Sequence, residues 1–88
     1  MYIAIVPLFM DIHRKVEGLT AGAAVAAHQQ DLEVQARYGV RFLRYWYDEK
    51  TGKVFCLSEA PNAQAVAYCH QHSHGLEADE IIEVAEGA

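Results

Sequence analysis

The chain is poor in cysteine, proline and clustered basic charge. Cys56 and Cys69 are its only cysteines, too few for a disulfide scaffold and not spaced as the C-x-x-C of a zinc or redox motif. Seven lysines and arginines stand against twelve acidic residues, for a net charge of -5. Arg14-Lys15 is the only adjacent basic pair, so the basic face that nucleic acid requires is missing. No apolar run approaches the ~20 residues of a membrane span. Tyr2 to Met10 lacks the basic lead and small-residue cleavage pattern of a secretory signal. Neither GxGxxG nor GxxxxGK[ST] occurs, which removes the common phosphate loops, and no nucleophile with an adjacent base can be picked out. These absences predict a cytoplasmic protein with reduced thiols that engages neither nucleic acid nor membrane.

What remains is apolar. At 88 residues the chain has room for one core, hence one domain over 1–88. A chain this short buries only about 60–65% of its unfolded surface. A hydrophobic content of 52% is high for that size, and predicts an apolar face covered by a second copy of the chain, a homodimer.

Leu8 to Lys15 reads as a strand, with Pro7 marking a bulge or its start, because proline removes a ladder donor. Thr20 is a natural cap for a helix running from Ala21 to Arg37, whose sheet-facing stripe reads Ala21, Ala24, Val25, His28, Leu32, Gln35. Gly39 stops it. Val40 to Tyr47 and Lys53 to Glu59 are strands joined by a hairpin at Asp48-Glu49-Lys50-Thr51-Gly52. Asn62 caps a second helix with Ala63, Val66, Ala67, His70 and His74 on one stripe, ended by Gly75. Ile81 to Val84 forms a last strand. The order βαββαβ is that of the α+β ferredoxin-like fold. It predicts a four-stranded antiparallel sheet in the order 4-1-3-2 with both helices on one face. The uncovered face, carrying the aromatic second strand, suits a partner sheet, as in a dimeric α+β barrel.

Four of the five histidines fall where this topology can collect them. His13 ends the first strand. His70 and His74 are neighbours one turn apart on the second helix, and His28 lies inside the first. Imidazole is the commonest protein ligand for transition metals. Taken singly, His28 and His70 read as core histidines, and His74 as a side chain favoured by the helix dipole. Taken together, several buried imidazoles each need a partner or cost roughly 1–3 kcal/mol apiece, and one ion satisfies several at once. Asp31 is placed to orient His28, and Cys56 reads as a small apolar group with thiolate ligation as the alternative. His72 points away from the 70/74 face. Strand parity poses a conflict. Phe9, Asp11 and His13 share one side of the first strand, and Leu8, Met10 and Ile12 the other. The second set is the more apolar and is expected under the helices, which places Asp11 and His13 on the open face.

The ordered segments Asp11-Ile12-His13, Gly18-Leu19-Thr20, Ala27-His28, Asp31-Leu32-Glu33, Tyr38-Gly39-Val40, Tyr45-Trp46, Gly52 to Leu57, Glu59-Ala60-Pro61, His74-Gly75 and Ala78 to Ile81 resemble a bacterial family of small ferredoxin-like proteins known as nickel-binding. The resemblance covers roughly Leu8 to Val84. It implies a core over 8–84 preceded by an N-terminal extension (1–7), a dimer, and a metal site carried by His13, His28, His70 and His74, with Asp11 and Cys56 as further ligands. Nickel is the metal it implies, although such donors also suit copper, zinc or iron. The expected function is binding, buffering or sensing of a divalent transition metal, with affinity falling as pH drops below about 6.5. The alternative is a small α+β barrel enzyme of oxygenase or isomerase type, using a histidine in a cavity of about 300 Å³ or more.

Overall fold

The computed structural model describes residues 6–87. Five of the seven residues expected to form the N-terminal extension, 1–5, lie outside the described residues. The elements are β1 (Leu8–His13), α1 (Ala21–Val34) continued by a 3₁₀ turn (Gln35–Tyr38), β2 (Arg41–Asp48), β3 (Lys53–Glu59), α2 (Ala63–Ser73) and β4 (Glu80–Val84). The sheet runs β2-β3-β1-β4 with every neighbouring pair antiparallel, the order expected from sequence.

Local chemistry sets the boundaries. Pro7 lacks an amide hydrogen, and the ladder begins at the residue after it. The Thr20 hydroxyl accepts from the Ala23 amide at 3.1 Å and Asn62 Oδ1 from the Ala65 amide at 2.8 Å, each relieving an orphan donor of a first helical turn. Gly39 (φ 68°) and Gly75 (φ 78°) take the left-handed conformation that ends each helix. α1 tightens into 3₁₀ geometry after Val34, three residues before the Arg37 end expected for it.

The core lies between the helices and one sheet face, built from Phe9, Val40, Phe42, Cys56, Ala60, Val66 and Cys69. Two expectations are corrected here. Phe9, Asp11 and His13 are the buried set of β1, and Leu8, Met10 and Ile12 the half-buried one, so Asp11 and His13 lie under the helices. Apolar character did not decide the face because both faces are rich in it. The register places Met10 beside Leu57 and Ile82, and Ile12 beside Phe55, which in turn faces Trp46. The stripe of α1 is also rotated. Ala24 and Asp31 are its buried positions, while Val25 and Leu32 are about two-fifths exposed. A carboxylate displaces the apolar pair from the interior because partners wait for it there.

Candidate metal centre

β1 projects Asp11 and His13 under the helices, and β3 sets Cys56 directly across from Asp11. α2 brings His70 down onto them, fully buried against the ring of Phe42 (centroids 5.0 Å apart). His70 Nε2 donates to Asp11 Oδ2 at 3.0 Å and Nδ1 donates to Asp31 Oδ1 at 3.0 Å. A neutral imidazole has one N–H, so a ring that donates to two carboxylates is an imidazolium. Burial works against that charge. The bonds to Asp11 and Asp31 outweigh burial and push His70 up to about 12. The carboxylates respond in the opposite sense. Burial would raise both, but His13 and His70 hold Asp11 below its usual range, and His70, His74 and Ser73 hold Asp31 far below it.

Asp31 is saturated. Its Oδ1 also accepts from the Ser73 hydroxyl at 2.6 Å, and its Oδ2 from His74 Nε2 at 3.1 Å. His74 Nδ1 accepts the Leu76 amide at 3.0 Å, which fixes the hydrogen on Nε2. Both nitrogens of His74 therefore have partners.

Asp11 is different. His13 Nδ1 donates to the Glu77 carbonyl at 3.1 Å, which leaves Nε2 facing Asp11. That nitrogen lies 3.1 Å from Asp11 Oδ1, yet Asp11 Oδ1 is buried with no hydrogen-bond partner. A carboxylate oxygen and an imidazole nitrogen face each other out of water. Two buried anions, Asp11 and Asp31, share one imidazolium. The spot suits a cation. One ligand atom from each of Asp11, His13, Cys56 and His70 lies within 4.8 Å of the others, and the same holds for Asp31, His70 and His74.

The family described as nickel-responsive SCO4226-like proteins matches residues 9–84. This chain belongs to the SCO4226-like family. The crystal structure of SCO4226 from Streptomyces coelicolor A3(2) is 43% identical over 92% of this chain and 99% of that one, with a TM-score of 0.85. No curated protein matches the chain. In this SCO4226-like protein the buried histidine–aspartate cluster is compatible with metal binding, and no helix among the described residues is long and apolar enough to cross a membrane.

Of the residues singled out from sequence, Asp11, His13, Cys56, His70 and His74 converge. His28 stays apart: its ring lies against Tyr45, centroids 4.6 Å apart, in neither group of ligand atoms. Asp31 serves His70 and His74, not His28 as expected. His72 is exposed, donates to the Tyr68 carbonyl at 2.9 Å and stacks on Tyr38. Burial pushes the Cys56 thiol up to about 11, so it is protonated at neutral pH. Ser73 carried no signal in the sequence. Asp31 carried one, since it falls on the same helical face as Ala24 and His28.

Proposed function

We propose that the protein binds one divalent transition metal ion in its interior, with nickel the ion suggested by the family, for sequestration or sensing. The ligands are a carboxylate oxygen of Asp11, Nε2 of His13, Nε2 of His70 and the sulfur of Cys56. The unpartnered Asp11 Oδ1 beside His13 Nε2 carries this reading. His13 is already arranged as metal-bound imidazoles are, with its other nitrogen tied to a carbonyl. His70 keeps its Nδ1 hydrogen on Asp31 when Nε2 gives up its own. Asp31, Ser73 and His74 then position the ring without touching the ion. Imidazole with one carboxylate and one thiolate suits nickel, copper or zinc, and copper binds such sets more tightly than nickel.

The test compares two conservative variants by calorimetry and elemental analysis. Losing a partner that orients a ligand costs about 10–100-fold in metal affinity. Asp31→Asn is expected to lose affinity within that range, and Asp11→Asn, which removes a ligand, to lose more than about 100-fold. Nickel binding by Asp11→Asn at wild-type strength overturns the assignment.

The open sheet face supports a homodimer. Met10, Ile12, Phe55 and Leu57 run across it between Trp46 (47% exposed) and Ile82 (45% exposed). A continuous apolar sheet face calls for a cover. Sedimentation is expected to give a particle of twice 9.8 kDa, and Leu57→Arg a folded monomer. A monomeric wild-type protein at micromolar concentration removes the dimer.

A further inference from the structure

One feature lies beyond the metal site. A cavity of about 190 Å³ opens between the first half of α1 and the sheet. Three alanines of α1, Ala23, Ala24 and Ala27, form its helix side, and Tyr45, Val54 and Cys56 its sheet side. The alanines leave the slot: a larger side chain at any of them would occupy it. His28 and Tyr45 stand together at the wall, and neither side chain makes a hydrogen bond among the described residues. His13 and His74 also line it.

We propose that this cavity binds a small, uncharged, ring-sized molecule with an apolar body and one hydrogen-bonding head, such as a simple aromatic alcohol. The size follows from the volume. An enclosed apolar cavity of about 150 Å³ takes up benzene, whereas drug-sized ligands occupy roughly 300 Å³ or more. The absence of charge follows from the lining. The walls are mainly apolar, no lysine or arginine lines them, and Glu17 is the only acidic residue that does. Glu17 has its side chain 86% exposed, so an ion would lose its hydration there with little compensation. The single head follows from His28 and Tyr45, which make no side-chain hydrogen bond among the described residues, in a space otherwise walled mainly by alanine, valine and leucine. The inference does not depend on the metal reading, because the lining residues other than His13 and Cys56 are not ligands in that reading.

The experiment titrates three near-isosteric probes, benzyl alcohol, benzylamine and benzoate, into metal-free protein. Binding is followed by NMR at the Ala24, Ala27 and Tyr45 signals. Benzyl alcohol is expected to give saturable shifts at these positions, and the two charged probes much weaker ones. Ala27→Leu, which fills the slot, is expected to abolish the shifts while keeping a folded spectrum and wild-type nickel uptake. If that variant does not fold, Ala23→Leu, at an exposed position on the rim, replaces it. Absence of saturable shifts in the wild type overturns the proposal, as do unchanged shifts in the filled variant. Equal or tighter binding of benzylamine or benzoate overturns the uncharged class. Failure of nickel uptake alongside saturable benzyl alcohol binding would sink the metal reading and leave this one standing.

Discussion

Replacing His70 by leucine is expected to cost the metal-free protein about 3–5 kcal/mol at pH 7, the range for removing one partner of a buried ion pair. The leucine fills much of the space, but Asp11 and Asp31 lose the cation between them. The total stability of a small domain is about 5–15 kcal/mol, so the variant stands near the edge of unfolding. Its pH profile is the sharper signature. In the wild type, Asp11 and Asp31 titrate below the ordinary carboxylate value of 3.8. Their contribution is present above 3.8 and is lost as pH falls through their depressed folded values. His70 is raised from 6.5 to about 12. Its contribution is complete below 6.5 and is lost as pH climbs toward 12. Stability from this cluster is therefore greatest between about 4 and 6.5 and declines on both sides. In His70→Leu, burial of the carboxylates is no longer opposed by the imidazolium, so their values rise. The variant should then gain stability on acidification from pH 7 to pH 5 through its two carboxylates, whereas the wild type gains only the last part of the His70 contribution. Urea unfolding of chelator-treated protein at both pH values measures this. A loss under about 1 kcal/mol at pH 7, the scale of an exposed ion pair, would mean that the cluster carries no buried charge.

The affinity for nickel is expected to climb steadily from pH 6 to pH 8.5. Ordinary imidazoles are half deprotonated at about 6.5 and largely so by about 7.5, and a site made only of them stops gaining affinity there. Here His70 holds its proton to about 12 and the Cys56 thiol to about 11. An ion bound by both expels two protons at any pH below those values. Each expelled proton is worth about tenfold in affinity per pH unit, so the rise is about hundredfold per unit. Cys56→Ser should halve the logarithmic slope, because serine does not deprotonate. Calorimetry in buffers of different ionisation enthalpy counts the protons directly. A plateau above about pH 7.5 would place the ion elsewhere.

The order of the elements and the sheet were legible because capping residues, glycines and turn chemistry punctuate the chain locally. Thr20, Asn62, Gly39 and Gly75 each act within a few residues of where they stand. The cluster was legible only in part. His70 and His74 were found by their helical spacing. The side of β1 that carries Asp11 and His13 was not, because parity was judged by apolar content, and in a sheet with two apolar faces that criterion has no power. Asp31 was assigned to its sequence neighbour His28. Its true partners come from α2 and the residue that caps it, 39 and 43 residues away, a distance across which local pattern carries no information. The stripe of α1 was misplaced for the same reason. Exposed Val25 and Leu32 outscore a buried aspartate on any hydrophobic scale, until the imidazolium that receives the aspartate is known.

His13 and His74 are both oriented by main-chain groups of one short connection, the Glu77 carbonyl and the Leu76 amide. Side chains at 76 and 77 take no part in those two bonds. Evolution is thus free to vary these positions, for solubility or for contacts elsewhere, without altering which nitrogen of either ring bears its hydrogen. Proline at 76 is the exception, since it would delete the amide that sets the tautomer of His74.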